Sequence, residues 1–169
     1  MSAISIQFAT TKVLFSQGSN STKCYENCNK FLEKIKDYLE KKSELKDFQI
    51  KFAADCEKQA QDFISKLGAL LESKNRPLSV ENLHLQVFDE KNILAILPRI
   101  QNLEKITIID AVRRFRYLEI REISNLDQFQ KAKELEISRF YVVAGIEKFL
   151  HFKKCIVDFQ PEVYLDDET

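Results

Sequence analysis

The stretch VFDEKNILAILPRIQNLEKITIID, residues 87–110, changes its hydrophobic period partway through. Ile93, Leu94, Ile96 and Leu97 fall at helical spacing, and Asp89 offers an N-cap for a helix predicted over Glu90–Leu97. Pro98 disfavours helical geometry at Leu97 and predicts the helix end there. The residues that follow, LEKITIID, alternate as a strand does. This succession of short helix and alternating strand recurs along the chain, and it constrains the fold more than any other feature. Parallel strands need crossovers of a dozen or more residues, and helices of these lengths supply them.

Five such units follow a different start. Ile4, Ile6 and Phe8, then Lys12, Leu14 and Ser16, alternate on either side of Ala9–Thr11, which predicts a hairpin over residues 1–16. QGSNSTK reads as a loop. A helix is predicted over Tyr25–Lys42, with Cys28, Phe31, Leu32, Ile35, Tyr38 and Leu39 on one face. A second is predicted after Asp55 as N-cap, carrying Ala60, Phe63, Ile64, Leu67, Leu70 and Leu71. Further on, EISNLDQFQKAK and VAGIEKFLHF read as helices, ELEIS and KCIVDF as strands. Strand centres fall near Ile50, Leu85, Ile108, Ile137 and Val157, at irregular intervals.

The strands alternate, as in FQIKF, LHLQV and ELEIS, where a doubly wound sheet covered on both faces would be apolar nearly throughout. One covered and one open face predict an α/β fold: a short leucine-rich-repeat-like arc of helix–strand units with a parallel sheet. The N-terminal β-hairpin would cap it. One domain is expected over residues 1–160, with 161–169 an acidic tail.

Among 169 residues, Lys+Arg and Asp+Glu are both 26, so the net charge is zero and gives no electrostatic ground for a nucleic-acid or anionic-membrane partner. No apolar run reaches the length of a spanning helix, and the first residues are too polar for a secretory signal. An intracellular protein with reduced Cys24, Cys28, Cys56 and Cys155 is expected, cytoplasmic or nuclear.

Chemistry is sparse. His84 and His151 are the two histidines, and neither has a sequence-evident partner. Cys24 and Cys28, four apart near a predicted helix start, would place both sulfurs on one side, but the second pair that zinc needs is missing. Helix-start thiols can be acidified, which leaves Cys24 as a reactive-thiol candidate. With three glycines and no phosphate-loop or nucleophile-elbow motif, no catalytic residue, cofactor or metal site is expected. One charge cluster is unusual: Arg113, Arg114, Arg116 and Arg121 interleave with Phe115 and Tyr117. That pattern suits RNA stacking, a protein interface, or a solvated loop with its apolar residues tucked inward.

Three segments carry a family likeness. VFDEKNILAILPRIQNLEKITI, EISNLDQFQKAKELEI and GIEKFLHFKKCIVDF, in that order within residues 78–159, resemble the FTH domain of nematode F-box A proteins. Phe129 stands where that family commonly has tryptophan. The resemblance implies a non-enzymatic module that selects a target protein, as the substrate-recruiting part of an F-box ubiquitin ligase. Residues 1–24 read as too short and non-helical for an F-box, so a Skp adaptor and cullin ligase would be partners only where the full protein carries one. The expected binding surface is the polar strand face, Gln49, Lys51, His84, Gln86, Lys105, Thr107 and Glu136, joined by Arg113, Arg114, Arg116 and Tyr117. RNA binding through the Arg113–Arg121 loop is the alternative.

Overall fold

The fold is described from a computed structural model, over residues 2–9, 12–18 and 21–160. It is a mixed α/β structure in which ten strands form one sheet and five helices accompany it. The strands are β1 (Ser2–Ala9), β2 (Lys12–Gln17), β3 (Ser21–Tyr25), β4 (Glu44–Phe52), β5 (Leu78–Val87), β6 (Ile100–Gln101), β7 (Lys105–Asp110), β8 (Arg116–Glu119), β9 (Glu134–Val143) and β10 (Lys154–Gln160). The helices are α1 (Cys28–Lys41), α2 (Glu57–Glu72), α3 (Glu90–Ile96), α4 (Arg121–Ser124) and α5 (Asp127–Lys131).

The spatial order is β10-β9-β7-β5-β4-β1-β2-β3. From β1 to β10 each neighbouring pair is parallel, and the antiparallel pairs are β1–β2 and β2–β3, so β2 runs against the rest. The chain first returns from β3 past β2 and β1 to place β4 beside β1. From β4 onward each later strand of the main order, β5, β7, β9 and β10, is added beside the one before it in the same direction. Right-handed crossovers of that kind leave their helices on one face of the sheet. The buried residues agree: Phe48, Ile50 and Phe52, Leu83, Leu85 and Val87, and Leu135 and Ile137 point to the helix side. All five predicted strand centres lie within strands.

An aromatic cluster anchors the first units. Phe8 stacks on Phe63 of α2 with ring centroids 4.6 Å apart and meets Phe52 edge-on at 5.6 Å. Phe31 of α1 adds a contact to Phe63 at 6.0 Å. Burying each such ring stabilises by about 1.5–3 kcal/mol. Phe129 is fully buried and meets Phe152 edge-on at 5.0 Å.

Local expectations are corrected in several places. The predicted hairpin forms, but β1 also pairs in parallel with β4 and so belongs to the main sheet; Thr10 and Thr11 lie outside the described residues. Ser21–Tyr25, read as loop and helix start, is β3, because the open edge of β2 supplies its ladder. α1 therefore begins at Cys28, capped by Asn27, whose side chain accepts from the amides of Asn29 and Lys30. Cys56, not Asp55, is the N-cap of α2. Asp89 does cap α3, accepting from the Asn92 amide at 3.1 Å. Leu97 nevertheless keeps helical angles and passes with Pro98 into a 3-10 turn before the chain extends. EISNLDQFQKAK splits into α4 and α5 at an extended Leu126. The helix predicted over Val143–Phe152 is reduced to a 3-10 turn, Ile146–Phe149. There β9 continues through Val143, its β-branched residues favouring the pleated surface. The acidic tail lies outside the described residues.

Candidate binding face

Because strand side chains alternate, the residues between the buried ones share the helix-free face, and the parallel register aligns them in rows. One row runs Gln49–His84–Thr107–Glu136–Ile156 across β4, β5, β7, β9 and β10. A second runs Asp47–Asn82–Lys105–Glu134–Lys154, and a third Lys51–Gln86–Ile109–Ser138. The seven strand residues predicted from sequence thus meet on one surface.

These side chains are partly used among themselves. Lys105 pairs with Glu136 at 3.7 Å, and Asn82 donates to the Asp47 carboxylate at 2.9 Å. Gln86 donates to the Phe52 carbonyl at 3.0 Å. Thr107 is buried at 8% exposure, whereas Gln49, Lys51, His84, Gln86, Lys105 and Glu136 are half-buried. His84 lies between the lysines. Burial, and then the positive charge of Lys51, hold its imidazole below its ordinary pKa of 6.5, with Glu136 opposing and Lys105 adding to the effect.

The arginine–aromatic segment is not a plain loop. Arg116–Glu119 is β8, which pairs in parallel with the far half of β9. Arg139 has φ 63°, and the alternation of β9 shifts by one there: Leu135 and Ile137 are buried before it, Phe140 and Val142 after it. The shift turns Tyr141 to the helix-free side, where it registers beside Tyr117. Tyr117 and Phe115 lie 6.0 Å and 5.5 Å from Tyr141, ring centroid to centroid. Tyr117 is 70% exposed and Phe115 48%. The aromatic group therefore continues the polar face beyond the bulge.

Arg113, Arg114, Arg116 and Tyr117 are the residues of this segment that the sequence predicts for the surface. Arg113 and Arg114 are exposed, as is Tyr117. Arg116 is committed inward: it bonds Asp110 at 3.0 Å, Glu57 at 3.1 Å and the Phe88 carbonyl at 2.8 Å. Burial works against its charge, but the bonds and charges of Asp110 and Glu57 prevail and raise its pKa further. It is a structural residue, because the buried carboxylate of Asp110 requires a cation. Tyr141 was missed, since the bulge that turns it outward has no glycine to announce it.

The cysteines are placed unlike the helix-start pair that their spacing suggested. Cys24 is exposed in β3, while Cys28 opens α1. Burial raises the pKa of Cys28 and of Cys155. Burial, helped by Asp55, pushes the Cys56 thiol up to about 11, and its sulfur donates to the Ala53 carbonyl. His151 bonds the Phe129 carbonyl through Nε2 at 2.9 Å, tying a chain end of the last turn to α5. Among the described residues no group of three or more His, Cys, Asp or Glu side chains is placed to hold a metal ion, and no helix is long and apolar enough to cross a membrane.

No curated protein and no solved structure matches the chain. The family model for the FTH domain matches residues 61–162, more than half of its length and most of the surface just described. The chain belongs to the FTH domain family.

Proposed function

We propose that this FTH domain is a protein-recognition module that acts by binding alone, without catalysis, cofactor or metal. The carrying observation is the continuity of an aromatic group, exposed Phe115 and Tyr117 against half-buried Tyr141, with a polar row on the same helix-free face. Tyrosine and arginine supply a large share of interface energy, and an apolar centre beside a polar rim is the usual anatomy of a protein interface. The stepwise strand order from β4 to β10 and the one-sided helices support reading the sheet as a short leucine-rich-repeat-like arc, with β1–β3 as its N-terminal cap. In an F-box protein the module would choose the substrate of a Skp–cullin ligase; in a relative without that motif it would bind a target only. The setting would be intracellular.

Affinity capture from lysate tests this, comparing the intact chain with Phe115→Ala/Tyr117→Ala and with His84→Glu/Lys105→Glu. Loss of the same retained proteins in both variants, with unchanged melting temperature, is expected. Equal retention by all three would sink the reading.

Exposed Arg113 and Arg114 beside these rings also support RNA binding as a second reading, since such groups stack on bases and meet phosphates. Arg113→Glu/Arg114→Glu would then abolish RNA retention at low salt, and unaltered retention would remove that reading.

A further inference from the structure

The sheet ends on β3 and β10, and the two edges differ. β3 exposes Ser21, Thr22 and Lys23, a polar border that discourages strand addition. β10 is seven residues long, without proline or glycine, and among the described residues pairs on one side only, with β9. Ile156 on its helix-free side is 51% exposed. On its other side Cys155 is exposed although its neighbour in β9, Leu135, is buried at 1%. Leu150, in the turn just before β10, is 74% exposed. An edge whose backbone groups have no strand partner among the described residues, and which also exposes apolar side chains, is a template for another strand.

A lysine on such an edge normally deters pairing unless an acid meets it. Around Ile156 the sequence reads Lys154-Cys155-Ile156-Val157-Asp158, with one charge of each sign two residues away on either side. This segment is complementary to its own reverse. We propose that β10 pairs antiparallel with β10 of a second copy of this chain, about a two-fold axis at Ile156. Lys154 then faces Asp158 of the second copy at both ends, Ile156 faces Ile156, and Cys155 faces Val157. All three outer pairs lie on the helix-free face, because Lys154 and Ile156 register beside Glu134 and Glu136. A parallel arrangement would instead set like charges opposite each other, which is unfavourable. The antiparallel contact uses the same patch on both copies and closes as a dimer. Two binding faces would thereby join into one surface, an arrangement that stands whether or not either face binds a protein target.

Sedimentation velocity of the intact chain over a concentration series is the test, with Lys154→Glu, Asp158→Lys and the double exchange. The wild type should dimerise. Each single reversal should weaken association roughly tenfold, since two pairs per dimer become like-charged. The double exchange should restore it. In a background with Cys24→Ser and Cys155→Ser, Ile156→Cys should cross-link between copies on mild oxidation, because facing residues in an antiparallel pair lie about 4.5–5.5 Å apart, within disulfide reach. A chain that stays monomeric at every concentration, or a dimer that both single reversals leave unchanged, would overturn the proposal.

Discussion

The guanidinium of Arg116 sits 3.0 Å from the carboxylate of Asp110, a residue with no solvent exposure. Asp110 ends β7 and also accepts from the Val112 amide at 2.9 Å, so one carboxylate holds both the turn and the strand that follows it. Removing one partner of such a pair costs far more than the pair contributes, because the remaining charge is left buried. Arg116→Ala should therefore destabilise by about 3 kcal/mol, at the low end for buried pairs because the guanidinium is partly solvent-exposed. Adding Asp110→Asn to that variant should recover part of the loss. Urea unfolding checks both; a loss below about 1 kcal/mol would put the pair among ordinary surface bridges.

Gly68 lies in the middle of α2, where replacing glycine by alanine ordinarily stabilises a helix by about 1 kcal/mol. Here the sign should reverse. A Cβ at Gly68 would overlap the backbone carbonyl of Ala95, so the glycine is what lets α2 and α3 approach. Gly68→Ala should destabilise by about 1–3 kcal/mol through overpacking against backbone that cannot rotate away. An unchanged or raised melting temperature would show that α3 can shift.

Arg139 adopts φ 63°, a left-handed conformation that costs a non-glycine residue about 1–2 kcal/mol. Arg139→Gly relieves that cost while adding unfolded-state freedom, and a net gain of about 0.5 kcal/mol is expected. The bulge, and with it the orientation of Tyr141, should persist. Chemical denaturation measures the gain, and near-ultraviolet circular dichroism reports the tyrosines.

His84 should titrate below 6.5 in the folded chain. Its folded pKa is depressed, so between that value and 6.5 the unfolded state binds more protons than the native state. Stability from this group is thus complete above 6.5 and falls as pH drops through the window. NMR titration of the imidazole gives the midpoint. His84→Gln should flatten the stability profile on that side of neutrality, and a midpoint above 6.5 would contradict the assigned environment.

Much of this could be read from residue periods. FQIKF, LHLQV and ELEIS announce strands with one buried and one open side, and the helical stretches between them imply parallel pairing. The predicted strand-face residues share a surface because parallel register aligns equivalent positions. Short elements were less legible. Ser21–Tyr25 has little strand character of its own and is ordered by the edge of β2. Val143–Phe152 has apolar spacing compatible with a helix, yet the ladder to β10 holds Val143 in β9.

Local period and motif order were enough to read the alternation of elements, the family, and the buried side of the strands where no bulge interrupts them. Tertiary structure alone decided that Arg116 serves Asp110, since the two are brought together by the turn after β7 and the pairing of β8 with β9. It also decided that Tyr117 and Tyr141 stand side by side. A one-residue bulge reverses which side chains face outward, and periodicity read along a single strand carries no signal for such a phase change.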